Sequence, residues 1–187
     1  MVTTVHFSLV ERGFTLVEML AVVALTAILG GSVLSLAGGA HERAAGLRAG
    51  AELVVLAQAL EAWRDQYGDY PAATTAAEFY ESLTGRRGPQ NCLLDPQGRS
   101  FIEAARFRLQ AAGVSAPGNL ILDPWGQPYH YTAVTRLVGG CPVPDYVLFS
   151  SGPDGCTKPD DPPAVGPRAG VPDLTAPENA DNIYLSP

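Results

Sequence analysis

The chain has 187 residues, which suits one globular domain of ordinary size. Hydrophobic residues make up 47% and charged residues 17%, so a packed core is possible and wholesale disorder is excluded. The formal net charge is −7, from 12 basic and 19 acidic residues, which argues against binding nucleic acid by neutralising phosphates. From Cys141 onward seven acidic residues stand against Lys158 and Arg168, a net of −5, so the excess negative charge is concentrated at the C-terminal end.

The N-terminal region contains a long uncharged segment. Residues 1–13 are mildly polar, whereas residues 19–40 run for 22 positions without a charged side chain. As a helix rising ~1.5 Å per residue, this segment would be roughly 33 Å long, about the thickness of the hydrocarbon core of a bilayer. It exceeds the ~7–15 apolar residues of a secretory signal peptide, and a helical pattern continues beyond it, so we expect a retained transmembrane helix.

Glu18 lies at the start of this apolar segment. A lone carboxylate there is costly unless it is paired, and no basic residue follows before Arg43. Cleavage after Gly13 would leave a free amine on Phe14, which could neutralise the Glu18 carboxylate of a neighbouring subunit. The pattern therefore predicts subunits that assemble through their N-terminal helices within a membrane.

The segment RGFTLVEML at residues 12–20 resembles the cleavage and methylation motif of type IV pilins and type II secretion pseudopilins. The resemblance implies that prepilin peptidase cleaves after Gly13 and methylates the amine of Phe14, and that Glu18 guides subunit docking. It divides the chain into four parts: a leader (1–13), a transmembrane and assembly half-helix (14–40), an amphipathic half-helix (41–68) and a globular domain (69–187).

A helical pattern continues over residues 41–67, where apolar residues recur at spacings of three and four. The predicted apolar face consists of Leu47, Ala51, Val54, Val55, Leu60, Trp63 and Tyr67. The sequence GDYP at residues 68–71 is expected to end this helix, and residues 75–83 predict a second, short one.

The globular part predicts a small antiparallel sheet. Asp-Pro-x-Gly sequences at residues 94–98 and 122–126 indicate type I turns, and residues 101–110 are ambiguous between strand and helix. Residues 127–134 predict a strand, and residues 146–150 its hairpin neighbour. The connection at residues 137–145 is expected to be a loop too long for a two-residue turn. The predicted fold class is α+β and pilin-like: a long N-terminal helix packed against a small antiparallel sheet, with a loop-rich C-terminus.

Three further segments resemble the major pseudopilins of type II secretion systems, whose C-terminal loop binds calcium: DPWGQPYHY at 123–131, VLFSSGPDG at 147–155 and ADNI at 180–183. Calcium takes six to eight oxygen ligands on a flexible loop. In the acidic loop at about 150–187, the ligands implied by the resemblance are Ser150, the Ser151 backbone carbonyl, Asp154, Asp181 and Asn182. A solvated acidic loop without an ion is the alternative.

The three cysteines, Cys92, Cys141 and Cys156, lack the spacing of a metal site. We expect a disulfide between Cys141 and Cys156, which would tie the acidic loop to the sheet and contribute ~3 kcal/mol. Pairing of Cys92 with either of the others, or three free thiols, are the alternatives.

No catalytic motif of the GxSxG, HExxH, GxGxxG or Walker A type occurs, so we expect no enzyme activity. The three histidines do not suggest a site either. His6 lies in the leader, His41 follows the apolar segment, and His130 alternates with tyrosines on a predicted strand.

The resemblance implies a structural subunit of a type II secretion pseudopilus, polymerised into a periplasmic filament that aids protein export across the outer membrane. Implied partners are other copies of the chain, minor pseudopilins, the inner-membrane secretion platform, prepilin peptidase and inner-membrane lipid, with no nucleic acid. The implied location is the bacterial inner membrane, crossed once, with the C-terminal domain in the periplasm. The alternatives are a type IV pilus pilin, a minor pseudopilin, and a membrane-anchored calcium-dependent binding module.

Overall fold

The computed structural model describes residues 15–94, 97–111, 113, 116, 118–157 and 179–184, with the backbone alone for 30–38. Two α-helices, two short 3₁₀ turns and five strands follow one another along the chain. They are α1 (Leu16–Tyr67), α2 (Ala76–Leu83), the 3₁₀ turns Pro89–Asn91 and Ala104–Arg106, β1 (Arg108–Leu109), β2 (Ile121–Leu122), β3 (His130–Val138), β4 (Cys141–Ser150) and β5 (Ile183–Tyr184). The chain divides into two compact units, residues 1–41 and 42–187, with the boundary inside α1.

The first unit is the N-terminal part of α1, and its described side chains at residues 16–29 are all exposed. The exposed large apolar side chains are Leu16, Val17, Met19, Leu20, Val22, Val23, Leu25, Ile28 and Leu29. Among the described residues, no helix has both the length and the hydropathy expected of a membrane span. The structure therefore does not confirm the transmembrane half-helix predicted for residues 14–40.

In the second unit, one stripe of α1 is buried under the globular domain. Its members recur at spacings of four and three: Ala49, Leu53, Leu56, Leu60 and Trp63. Leu53, Leu56 and Leu60 of this stripe pack with Phe79, Tyr80 and Leu83 of α2, with Ile121 and Leu148 of the strands, and with Tyr129 just before β3.

The predicted apolar face of α1 is correct at Leu60 and Trp63 and wrong nearer the N-terminal end of the helix. Leu47 is 79% exposed, and Val54 and Val55 are exposed as well. This half of the helix carries apolar residues on more than one side, so spacing alone was consistent with two different buried stripes. The globular domain covers the stripe that contains Ala49, Leu53 and Leu56.

Local signals set the ends of both helices as predicted. Gly68, with φ of 86°, ends α1, and its amide donates to the Arg64 carbonyl (2.7 Å). Thr75 caps α2: its Oγ1 accepts from the Glu78 amide (3.2 Å), and the Glu78 carboxylate accepts from the Thr75 amide (3.2 Å). Glu78 also accepts from the amide and hydroxyl of Thr74.

A polar chain joins α1 to the start of β3. The buried Tyr129 donates its hydroxyl to Glu52 Oε2 (2.7 Å), and Arg48 Nε donates to Glu52 Oε1 (2.7 Å). Burial, followed by the hydrogen bond to Glu52, raises the pKa of Tyr129. Tyr131, two residues later and within β3, donates to the Pro71 carbonyl (2.8 Å). These bonds fix the register of the sheet against the helix.

Two antiparallel sheets form the rest of the domain. The strands β1 and β2 pair with Arg108 opposite Leu122, which resolves the ambiguous residues 101–110 into a 3₁₀ turn and a short strand. The larger sheet has the order β3-β4-β5, and His130, Phe149 and Tyr184 lie directly opposite one another across its three strands. The predicted α+β architecture, a long helix packed with small antiparallel sheets, is confirmed.

The loop predicted at residues 137–145 is wrong, because β3 and β4 are joined by the two-residue turn Gly139-Gly140. Both glycines have positive φ, 59° and 83°, as a type I′ hairpin turn requires. Pro142 and Pro144 lie within β4, although proline cannot donate to a strand ladder. They are tolerated because β5 pairs with β4 at Phe149 and Ser150 and not beside the prolines.

The capping of α2 gives a pH prediction. Hydrogen bonds from the backbone and then the side chain of Thr74 lower the pKa of Glu78 from 4.5 to about 2. Because the pKa is lower in the folded state, Glu78 stabilises the fold above pH 4.5, and this contribution is lost as the pH falls toward 2. We expect the acid-induced loss of unfolding free energy in this range to be smaller in Glu78→Gln, measured by urea unfolding across a pH series.

Glu103→Gln is the matched control, since the exposed Glu103 carboxylate pairs with the exposed Arg106. It should retain the wild-type pH profile. A Glu78→Gln profile that overlies the wild type at every pH would contradict the role given to the capping box.

Candidate functional site

The site is built around the carboxylate of Asp123, which is 0% exposed. Asp123 opens the turn before β3, and the predicted type I turn is confirmed by the bond from the Gly126 amide to the Asp123 carbonyl (3.0 Å). Its Oδ1 accepts from the amides of Trp125 (3.1 Å) and Gln127 (2.8 Å). Its Oδ2 accepts from the hydroxyl of Ser150 (2.6 Å), at the end of β4. The carboxylate thus ties the turn to the far end of the hairpin.

The segment after β4 turns back beside this carboxylate. The Gly152 amide donates to Ser150 Oγ (3.2 Å), and Gly152 has φ of 68°, so glycine suits the turn. A Cβ at Gly152 would collide with the Asp181 carbonyl oxygen. A Cβ at Gly155 would lie 2.9 Å from Gln127 Nε2. Two glycines therefore allow close contact with both the turn and the C-terminal segment.

The C-terminal residues 179–184 return to the same place. The strand β5 pairs with the end of β4, Ile183 opposite Ser150. This pairing brings Asp181 to the loop, where its Oδ2 accepts from the Asp154 amide (3.3 Å). The other acidic side chain of the loop, Asp154, accepts from the Cys156 amide through Oδ1 (2.7 Å).

The structure therefore brings together the five residues that the resemblance implied as calcium ligands, although they come from two segments separated by residues 158–178. The five are Ser150, Ser151, Asp154, Asp181 and Asn182. The four acidic residues between these segments, Asp160, Asp161, Asp173 and Glu178, lie outside the described part of the chain. Within the described part, no three His, Cys, Asp or Glu side chains cluster as a metal site.

Two oxygens among these residues are buried without a partner. Ser151 is 1% exposed, and its hydroxyl makes no hydrogen bond with any described residue. The side-chain carbonyl Oδ1 of Asn182 is in the same situation, as is the Thr157 hydroxyl. Buried polar atoms are normally satisfied, so these oxygens call for a ligand or a water. Neutral oxygens beside carboxylates are the donor chemistry that calcium prefers.

Ser150 makes contacts that the resemblance does not imply. Its hydroxyl proton is directed at Asp123, and its oxygen accepts from Gly152. The Asp-Pro-x-Gly motif explained Asp123 as a turn residue, and nothing in the local sequence indicated a partner 27 positions away. Sequence reasoning missed this contact because only the pairing of β3 with β4 creates it.

His130 lies beside this site, on the strand that follows the turn. Its ring stacks on Phe149, with centroids 4.7 Å apart and planes 10° apart. Burial lowers the pKa of His130, while the negative charge of Asp123 acts in the opposite direction. His130 is half-buried.

The predicted Cys141–Cys156 disulfide is not formed: all three cysteines are free and exposed. Cys141 begins β4, and Cys156 follows the end of that ten-residue strand. A strand rising ~3.3 Å per residue separates its ends by roughly 30 Å, whereas disulfide-bonded Cα atoms lie about 4.4–6.8 Å apart. The extended hairpin, which the sequence did not predict, is the reason that the two thiols stay apart.

At the N-terminus, the structure describes Glu18 but not Gly13 or Phe14, so the cleavage and methylation positions lie outside the described residues. Thr15 caps α1, since both its carbonyl (3.1 Å) and its Oγ1 (3.2 Å) accept from the Glu18 amide. Glu18 is exposed in the first turn and makes no ion pair with any described residue.

Two adjacent serines give a test of the Asp123 site. Ser150→Ala would leave Asp123 Oδ2 buried without its hydroxyl donor and is expected to lower the unfolding free energy by about 1–3 kcal/mol. Ser151→Ala removes a hydroxyl that has no partner among the described residues. The unfolding free energy of this variant in chelator should therefore equal that of the wild type or be slightly higher. Denaturant unfolding of the full-length chain in chelator measures both. Equal losses in the two variants would contradict the assignment.

Comparison with known proteins gives a match at the N-terminus. Residues 9–34 match the family described as the prokaryotic N-terminal methylation motif. No curated protein and no solved structure matches the chain. The matched span contains Gly13, Phe14 and Glu18, and it indicates a type IV pilin-like precursor that prepilin peptidase processes.

Proposed function

We propose that this chain is a structural subunit of a type II secretion pseudopilus. The observation that carries the proposal is the methylation motif at residues 9–34, followed by a helix whose first turn presents an exposed carboxylate among exposed apolar side chains. The subunit is cut after Gly13 and methylated on Phe14, and it has no catalytic role of its own.

The role of Glu18 follows from its surroundings. From Leu16 to Leu29 it is the one charged side chain on a surface of exposed leucine, valine, isoleucine and methionine. When such a surface is removed from water, the carboxylate needs a positive partner. The amine of Phe14 on the adjacent subunit supplies it, so the ion pair sets the register in which subunits add to the filament.

In the proposed assembly, residues 14–40 hold the precursor in the bacterial inner membrane before polymerisation, and the globular domain lies in the periplasm. Residues 19–40 support this placement, because they contain no charged side chain over 22 positions. In the second unit, Leu47, Val54 and Val55 of α1 are also exposed. Other copies, minor pseudopilins and the secretion platform are the proposed partners.

We also propose that the C-terminal loop holds calcium. The residues present fit the ion: Asp154 and Asp181 supply carboxylates, the buried oxygens of Ser151 and Asn182 lack partners among the described residues, and the backbone carbonyl of Ser151 lies in the same loop. Bound calcium would supply positive charge to an end of the chain that has a net charge of −5. Ser150 contributes by anchoring the loop to Asp123.

Processing and assembly are tested by expressing the full chain with and without prepilin peptidase. Mass spectrometry is expected to find a chain that begins at methylated Phe14 in the presence of the peptidase, and an uncut chain in Gly13→Val. Glu18→Gln should be cut normally but fail to enter filaments that are sheared from cells, because it removes the charge at constant size. Glu18→Asp, which retains the charge, should assemble better. Filaments of Glu18→Gln or Glu18→Lys at the wild-type level would overturn the proposal.

Calcium binding is tested by thermal unfolding of the full-length chain in detergent, with excess calcium or with chelator. Binding to the folded state alone stabilises by about 4 kcal/mol at a thousandfold excess over Kd, so Tm should rise by several degrees. The rise should be lost in Asp154→Asn combined with Asp181→Asn. Asp145→Asn is the control, since Asp145 pairs with Arg136 on the hairpin outside the loop. Overlapping melts in calcium and chelator would instead favour the solvated loop, and with it a pilus pilin or a minor pseudopilin.

A further inference from the structure

The side-chain amide of Asn182 is anchored on its nitrogen side. Its Nδ2 donates to the hydroxyl oxygen of Tyr184 (2.9 Å) and to Oδ1 of Asn179 (3.1 Å). A primary amide has two N–H donors on one side and the carbonyl oxygen on the other. When both donors are engaged, the direction of the oxygen is determined. That oxygen is buried and has no hydrogen-bond partner among the described residues.

The hydroxyl that anchors Asn182 is itself held by the sheet. Tyr184 lies opposite Phe149, with ring centroids 5.2 Å apart, and Phe149 stacks on His130 at 4.7 Å. These three rings form a cross-strand ladder over β3, β4 and β5, an arrangement that stabilises sheets. The Tyr184 ring is therefore fixed against the two long strands, and its hydroxyl is fixed relative to the loop.

The ring ladder and the Asn182 side chain lie in different parts of the fold. The ladder residues lie on strands, whereas Asn182 directly follows Asp181, whose carboxylate accepts a hydrogen bond from the Asp154 amide.

We propose that Tyr184 is a positioning residue for the cation site: its hydroxyl holds the Asn182 amide so that Oδ1 is presented to a bound calcium ion. This inference rests on the calcium site proposed above. Residues that orient a metal ligand from behind change metal affinity by about 10–100-fold when they are altered. Tyr184 makes that kind of contact, because it bonds the atom of Asn182 opposite the oxygen.

The test uses the full-length chain in detergent and calcium titrated by calorimetry. Tyr184→Phe keeps the ring in the ladder and removes the hydroxyl, so calcium Kd should rise by about 10–100-fold. Tyr131→Phe is the matched control. It removes from β3 a hydroxyl that donates to the Pro71 carbonyl, and this variant should bind calcium as the wild type does. Thermal unfolding in chelator reports whether each variant is folded.

A mutant cycle distinguishes positioning from general loosening of the loop. Asn182→Ala should weaken calcium binding, and adding Tyr184→Phe to it should weaken binding no further, because Tyr184 acts through Asn182. Europium provides a second readout. The number of waters on the bound ion, measured from luminescence lifetimes in light and heavy water, should rise by about one in Tyr184→Phe as water replaces the amide oxygen.

The outcomes separate this inference from the calcium proposal. A wild-type chain that binds no calcium overturns both. Tight binding by the wild type together with unchanged affinity and hydration in Tyr184→Phe overturns the role of Tyr184 and leaves the site standing. Additive losses in the double variant, or an equal loss in Tyr131→Phe, also overturn it, since either shows a general effect on the fold. Should Tyr184→Phe not fold, the hydration number of europium in Asn182→Ala decides whether the oxygen is a ligand at all.

Discussion

The buried carboxylate of Asp123 is the interaction on which the candidate site depends. A carboxylate removed from water is tolerated where hydrogen-bond donors surround it, and here two backbone amides and the Ser150 hydroxyl do so. Those donors come from the turn before β3 and from the end of β4. Satisfying one buried side chain therefore brings together two chain segments, and the loop that follows Ser150 starts from a fixed point.

The same strand that follows Asp123 also attaches the sheet to the helix. Tyr129 reaches Glu52 on α1, and Tyr131 reaches the backbone just beyond the end of that helix. The hydroxyls are polar groups at the border of an otherwise apolar core, and each is satisfied by a partner from a different element. Through β3 and β4, these hydrogen bonds fix the C-terminal loop relative to the part of α1 that the domain covers.

The proposed roles divide along the chain. Glu18 and the motif around it concern processing and subunit addition, and they depend on a short local sequence. The proposed calcium site depends instead on residues from two distant segments, which β5 brings beside the end of β4. The ladder of His130, Phe149 and Tyr184 links the two parts of that site to the sheet. The placement of residues 179–184 therefore follows from strand pairing and not from their own composition.

The elements that could be predicted were those with a local cause. The end of α1 at Gly68, the capped start of α2 and the turn at Asp123 each follow from the conformational preferences of a few neighbouring residues. The α+β class followed from one long helical pattern and two strand patterns. The Gly139-Gly140 hairpin also had a local signal, but two nearby prolines are unfavourable in a paired strand, and their tolerance depended on which edge of β4 remained unpaired.

By itself, the sequence determined the N-terminal motif with Gly13, Phe14 and Glu18, the long helix and the acidic character of the C-terminus, because each is a property of adjacent residues. Only the tertiary structure decided which stripe of α1 is buried, that Cys141 and Cys156 remain apart, and that Ser150 bonds Asp123. The helix has apolar residues on more than one side, and the domain that covers it makes the choice. The other two outcomes depend on the length and pairing of β3 and β4, which bring some distant residues into contact and hold others at opposite ends of a strand.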